Sequence, residues 1–509
     1  MPDHQRTGRR SRGCLIPLGI VCLLVAAFAG RVIYLAVTAT PGSAVDYHAL
    51  AEELVASYQP PGDENGWDLL LEAVRLMQDA DAQSEHADLL YEGYRYLISP
   101  DDYTFADDEP LAEEWEATGI GVADDEPTAE ELRAAGIEGL DALREAGVWD
   151  LLDQLARSPR VVRPLLKGTR LLDVLLPELG QTRSLARALG ARMRVAHDAG
   201  DDADVAAAFV QGCGLARALM HQLTLIDHLT GIAIFALFDG ELRYELVERP
   251  MDEQSLLIIA NALDRLALMP PQLPFEGERL ILLDMIQWMH TDDGHGNGRL
   301  ILSRVGSLPS STGGVPSSGS RLLNLASIAY PSKKQTTRQT EFIFAAVIKA
   351  AQTPRQQRAA IQFDPDTWLD QLPQRQILLH MMLPFIAGPL EARDHFDALL
   401  SGTRTMVAIE LHNARHGGYP DALEDLVPEF LPTLPTDPFA VDGRFIYRTL
   451  DPTSDEFGRL YTLYSVGIDQ TDDGGLHDRT LGIKAFREGE SATDYVFNLP
   501  RSSPPANDK

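Results

Sequence analysis

The residues best equipped for chemistry in this 509-residue chain cluster near its C-terminus, in the run Leu463-Tyr-Ser-Val-Gly-Ile-Asp-Gln-Thr-Asp-Asp-Gly474. Oxygen-bearing side chains interleaved with glycine suit a hard cation, which takes roughly six to eight ligands from carboxylates, carbonyls and water. A solvated acidic turn would use the same residues. Elsewhere Cys213 stands alone in the body, between Gly212 and Gly214. A lone cysteine excludes a disulfide framework or a cysteine-based zinc site there, and it reads as a small buried apolar residue rather than a nucleophile. His221 and His228 lie two helical turns apart with no carboxylate pair to complete a metal set, so they read as core or surface histidines. The run Thr291-Asp-Asp-Gly-His-Gly-Asn-Gly298 fails as a calcium loop, because Arg304 stands where the closing glutamate belongs when counting from Asp293. The sequence holds no Gly-x-Ser-x-Gly elbow, His-Glu-x-x-His pair, P-loop or Rossmann fingerprint. These residues favour a non-enzymatic protein, with a metal-dependent hydrolase as the weaker alternative.

The elements that would position these groups are mostly helices, so the fold class expected is mainly α. Apolar residues recur at helical spacing over 44–58 and 67–77, and Ser84 offers an N-cap for a third helix over 85–98. The stretch 99–126, rich in Asp and Glu, reads as a solvated loop. Helical segments then follow through 128–269, among them 185–197 and 205–225 joined by Asp198-Ala-Gly-Asp-Asp202 as an αα-hairpin. Stacked hairpins of this kind resemble a tetratricopeptide-like array, with Met193, Phe209, Phe235 and Phe238 in its core. A further helix over 276–290 is expected to carry Glu278, Arg279 and Asp284 as ion-paired side chains. Residues 306–337, rich in Ser, Gly and Pro, form a connection between the body and a helical stretch over 338–388. From Pro389 a long amphipathic helix runs to His416, stopped by Gly417-Gly418. A short helix over 421–426, a proline-rich interval and antiparallel strands at 444–450, 460–466 and 495–499 complete a small α+β unit, 389–500, before a disordered tail over 501–509.

Charge and the N-terminus set the surroundings. Acidic residues outnumber basic ones by 75 to 44, giving a formal charge of −31, and no basic stripe with interleaved aromatics offsets it. Such a body repels phosphate backbones, so nucleic acid is not an expected partner. Residues 1–40 form a leader with Arg6, Arg9, Arg10 and Arg12 followed by an apolar span over 15–39, interrupted by Arg31. A span of about 25 residues at ~1.5 Å each crosses a bilayer core of about 30 Å, and the arginines before it predict a cytoplasmic N-terminus and an extracytoplasmic body. The alternative is a cleaved signal peptide, since Ala27-Phe-Ala29 has the small-x-small form. Both place residues 41–127 and the helical body, 128–305, outside the cytoplasm.

The C-terminal block resembles the head domain of type II secretion major pseudopilins. The resemblance lies in Ala408 to Tyr419-Pro420, in Leu434-Pro-Thr-Asp437-Pro-Phe439, and in Tyr464-Ser465-Val-Gly467-Ile-Asp469 with Asp472-Asp473-Gly474. In that family the last loop binds calcium, and by position the resemblance implies Ser465, Asp469, Asp472, Asp473 and Asp478 as Ca2+ ligands. A pseudopilin's membrane helix runs straight into its head and follows a processing site with glutamate five residues on. Here Leu18 stands five residues after Gly13, and the apolar span ends far upstream of Pro389. The whole chain therefore resembles bacterial membrane-anchored proteins with a helical body and a pseudopilin-like tail. What this implies is an exported binding or scaffold protein whose body engages a protein partner, or alternatively an accessory of a type II secretion or pilus-like system.

Overall fold

Short polar side chains set the helix starts. The computed structural model describes residues 26–30, 45–59, 62, 64–99, 127–165, 170–173, 178–269, 273–292, 297–305, 327, 329–358, 361, 365–383, 388–477 and 493–501. Over these the chain is mainly helical, with one small antiparallel sheet near the C-terminus. The principal helices are α1 Tyr47–Ser57, α2 Trp67–Asp81, α3 Leu90–Ile98, α4 Ala129–Glu145, α5 Val148–Arg157 and α6 Glu178–Ala199. They continue as α7 Asp202–Met220, α8 Leu225–Glu248, α9 Glu253–Ala267, α10 Phe275–Met289, α11 Lys333–Ala351 and α12 Gly388–His416. Thr128 with Glu131 and Ser332 with Gln335 form capping boxes at α4 and α11, and Asp201, Thr224 and Asp252 cap α7, α8 and α9. Each such cap satisfies an orphan N–H and contributes about 1 kcal/mol.

Several boundaries differ from expectation, each for a local reason. Ser84 does not cap a helix over 85–98. Its hydroxyl accepts from the His86 amide and donates to Glu138, which holds 84–89 as a turn, and α3 starts at Leu90. The helix expected over 205–225 is two helices, because the chain turns at His221 and Thr224 recaps it through the Asp227 amide. The Ser332 box starts α11 at Lys333, inside the stretch read as a connection. The turn over Leu423–Leu426 is a 3-10 helix. Glu278, Arg279 and Asp284 do not pair with one another. Arg279 bonds Glu276 and Glu341, whereas half-buried Glu278 accepts from the Leu225 amide and Asp284 from the Leu171 amide.

One core runs from α2 through α9 and on into α12 and the sheet. Met193, Phe209, Phe235 and Phe238 are fully buried in it, and burying such side chains contributes on the order of 2–3 kcal/mol each. Glycine lets α7 and α8 approach closely: a Cβ on Gly212 would lie 2.5 Å from the Phe238 ring. Cys213 next to it is buried, and burial, together with the charge of Asp239, raises its thiol pKa and keeps it protonated. Helix α12 packs on α8 and α9 with one side and on the middle strand with another. A second core joins α10 and α11 to Leu378 and Leu379, and a third seats α1 on Leu280 and Ile281 of α10.

The sheet has strands β1 Ile446–Thr449, β2 Tyr461–Ser465 and β3 Tyr495–Val496 in the order β1-β2-β3, all antiparallel, with Ile446 opposite Tyr464 and Tyr464 opposite Val496. Side chains alternate across a strand. Tyr461 and Leu463 of β2 therefore join the main core, while Tyr464 faces the other way into a small cluster with Val496 and Leu499.

The apolar span over 15–39 lies outside the described residues except for 26–30, an exposed helical turn. Among the described residues one helix, α7, is long and apolar enough to cross a membrane, and 72% of its apolar window is buried inside the molecule. That burial is what a core helix requires.

Candidate functional site

The acidic loop after β2 folds back on itself through glycines. Gly467, Gly474 and Gly475 all have positive φ, as does Gln470, so the backbone reverses sharply between Ser465 and His477. Ser465 is buried at the end of β2, its hydroxyl accepting from the Gly467 amide at 3.2 Å. It also neighbours Asp437 of the Pro-rich turn, whose carboxyl burial pushes up to about 6 against the pull of the Phe439 amide and the Ser465 hydroxyl. Asp469 is exposed and accepts from the Thr471 amide at 3.0 Å. Asp472 accepts from the Tyr464 hydroxyl at 2.7 Å, the Gly474 amide at 2.9 Å and Arg448 Nη2 at 2.9 Å. The Tyr464 bond is the largest of the effects that hold its carboxyl below the ordinary range. Asp473 is exposed, and Asp478 lies outside the described residues.

Asp494, just before β3, was not among the expected ligands, yet the loop closes around it. Its Oδ2 accepts from the Gly475 amide at 2.7 Å, whereas its buried Oδ1 has no hydrogen-bond partner. Burial raises this carboxyl, and the charges of Asp472 and Asp473 raise it further. Nothing in sequence spacing marks Asp494, since it reaches the loop only through the β2–β3 pairing. Among the described residues no three His, Cys, Asp or Glu side chains converge in a metal-ready group. Over its described residues the loop thus concentrates negative charge without a finished ligand shell.

Beneath the loop lies a polar seam between body and C-terminal block. Arg243 of α8 donates to Asp239 at 2.9 Å, to the Tyr495 hydroxyl at 2.9 Å and to the Phe497 carbonyl at 3.2 Å. Thr403 of α12 donates to the other oxygen of Asp239, so α8, α12 and β3 meet at one buried carboxylate. Burial pushes the Asp239 carboxyl up, and Arg243 and Thr403 pull against it. On the same turn of α8, Glu241 pairs with Arg501, which also donates to the Ile98 carbonyl at 2.8 Å. Glu245, buried beside them, has neither oxygen hydrogen-bonded, and burial first and Glu241 second hold its carboxyl well above the ordinary range. His221 and His228 lie nearby in the body. Burial lowers both to about 4, and His228 Nδ1 sits 2.8 Å from the Met220 carbonyl, so they are neutral packing groups.

A carboxyl-phenol cluster ties α12 to the sheet. Glu410 accepts from the Tyr461 hydroxyl at 2.8 Å and the Tyr419 hydroxyl at 3.4 Å. Burial raises its carboxyl from the ordinary 4.5 to about 7 despite those two hydrogen bonds. Because the folded value exceeds the unfolded one, the stabilising contribution is complete below the unfolded value and is lost as pH rises through the folded one. Glu410→Gln, neutral throughout, is expected to be more stable than the native chain above pH ~7 by on the order of 2–3 kcal/mol, the gain shrinking as pH falls from ~7 and gone below ~4.5. Denaturation midpoints at acid and alkaline pH check this. The same difference at both would remove Glu410 as the titrating group.

Chemically, then, this region can hold a proton on Glu410 or Glu245 and present the loop's carboxylates to solvent. Against family models, curated proteins and solved structures, the chain matches none.

Proposed function

We propose that the protein is an exported, membrane-anchored, non-enzymatic scaffold that holds a protein partner, built from a tetratricopeptide-like helical body and a C-terminal block of pseudopilin-head form. The placing of α12 carries this proposal. Its apolar face is spent inside the molecule against α8, α9 and the sheet, and the buried Asp239–Arg243–Thr403 junction fastens it there. A helix used in this way supports fixed display by one rigid chain over assembly into a fibre. One long helix on a three-stranded antiparallel sheet, with an acidic Gly-rich loop after the middle strand, supports the likeness to the pseudopilin head.

Residues 15–39 would hold the chain in the membrane, with the N-terminus cytoplasmic. A reporter fused after Val45 that is active only outside the cytoplasm should give signal, and a cytoplasmic signal would overturn the topology. N-terminal sequencing of the mature protein separates anchor from cleaved leader. For the scaffold itself, crosslinking of the full chain in native membranes should recover a discrete protein partner. A pilus or secretion component among the products would turn the assignment to an accessory of that system, and repeated failure to recover any protein would sink it.

Calcium stiffening of the loop over 465–477 belongs to the same proposal. The orphan Oδ1 of Asp494 and the mutual repulsion of Asp472, Asp473 and Asp494 fit a cation by charge. The residues that would hold it are Ser465, Asp469, Asp472, Asp473 and Asp478, of which Asp472 already accepts three hydrogen bonds from protein groups and Ser465 and Asp469 one each. When bound, calcium supplies positive charge that fixes a loop with little core of its own. It is expected to raise the Tm of the full chain by about 2–4 °C, and Asp469→Asn with Asp473→Asn to abolish the rise. An unchanged Tm would remove calcium and leave the scaffold untouched.

A further inference from the structure

Acidic residues exceed basic ones by 31 in this chain, so a place where guanidinium groups outnumber carboxylates among the described residues asks for an explanation. Such a place is the groove between α3, α6 and α8. It encloses about 460 Å³, within the range of small-molecule sites. Its floor is apolar, with Ile98 from α3 and Ile234 and Leu237 from α8, and its rim carries Arg95, Arg183 and Arg187. Among the described residues no aspartate or glutamate lines it.

The three arginines are not equivalent. Arg95 reaches Glu92 on its own helix at 3.2 Å. Arg187 lies over the Tyr91 ring at 4.7 Å, a contact that fixes its plane without supplying a negative charge. Arg183 is exposed one turn earlier on α6, and neither it nor Arg187 has a carboxylate partner among the described residues. Two like charges at i and i+4 on one helix repel, so this pair costs the free protein stability that an anion between them would restore. Arginine pairs also present forked donors that match a carboxylate. Most other arginines in the body are spent on Asp or Glu, as in Arg163 with Asp227 and Arg192 with Asp204.

We propose that this groove binds a free medium-chain carboxylic acid, its alkyl chain along Ile98, Ile234 and Leu237 and its carboxylate held by Arg183 and Arg187. Charge complementarity selects the head and the apolar floor selects the tail. The site is separate from the acidic loop and does not depend on the scaffold assignment.

Titration calorimetry of the full chain with decanoate tests it. Decanoate should bind saturably, 1-decanol at least about tenfold more weakly for want of the carboxylate, and butyrate not measurably for want of the chain. Arg183→Gln with Arg187→Gln should weaken decanoate about tenfold or more with the Tm kept, and Leu237→Ser should weaken it with the rim intact. Equal binding of decanol and decanoate, or an unchanged affinity in the double variant, would overturn the proposal. So would binding confined to vesicles carrying an anionic phospholipid, or an acidic peptide that displaces decanoate at equal concentration. If the double variant melts early, the salt dependence of decanoate binding by the native chain decides: a carboxylate held by two guanidiniums loses affinity as ionic strength rises, and a flat dependence rejects it.

Discussion

Arg243→Met is expected to cost the folded chain about 3–5 kcal/mol, because it leaves the Asp239 carboxylate buried without its counter-ion. The same change removes the donor to the Tyr495 hydroxyl and the Phe497 carbonyl, so β3 loses its hold on α8. Urea denaturation followed by far-UV circular dichroism measures the loss. Joint replacement, Arg243→Met with Asp239→Leu, should recover most of it, since an apolar pair of similar volume has no charge to desolvate. A single variant as stable as the native chain would mean that the junction does not bind the C-terminal block to the body.

Gly402→Ala should destabilise the chain although alanine is the better helix former. A Cβ at this point of α12 would sit 2.1 Å from the edge of the Phe497 ring. The ring cannot swing aside, being fully buried and held edge-on by Phe445 at 5.5 Å and Tyr495 at 5.2 Å. Overpacking of this kind costs about 1–3 kcal/mol or more, against a gain of at most about 1 kcal/mol from helix propensity. The expected net loss is therefore about 2 kcal/mol, and Gly402→Val should lose more. Phe497→Leu made together with Gly402→Ala should be less harmful than the two single changes added. A stabilised Gly402→Ala would show that α12 and β3 are not in close contact.

What could be read in advance was whatever repeats along the chain. The apolar period from Phe396 to Leu411 identifies α12 and its broad buried face, and the alternation from Tyr461 to Ser465 identifies β2. The burial of Cys213 follows from apolar neighbours at helical spacing, whereas for His228 the sequence left core and surface open and the structure buries it. The polar junctions were not legible, because they join residues without any local relation. Asp239 meets Thr403 across 164 positions, and Asp494 enters the acidic loop only once β2 and β3 pair. The break between α7 and α8 was missed since His221 to Thr224 holds no Gly or Pro, and a threonine cap alone marks the new start. Of the loop, an acidic turn was legible, but the bonds from Tyr464 and Arg448 to Asp472 depend on strand register.

Arg501 has a bearing on how the molecule comes into being. It closes on the Ile98 carbonyl across 403 positions, and α12 covers faces of α8 and α9 that are synthesised long before it. Contacts so far apart in the chain form late, after the entropy of closing a long loop has been overcome. Until residues 388–501 follow, Phe235 waits without the Phe396 ring that covers it, and a nascent chain in that condition is open to association. A truncation that ends before α12 should therefore yield an aggregating product rather than a smaller soluble body, and the C-terminal block acts as the last piece that lets the earlier helices settle.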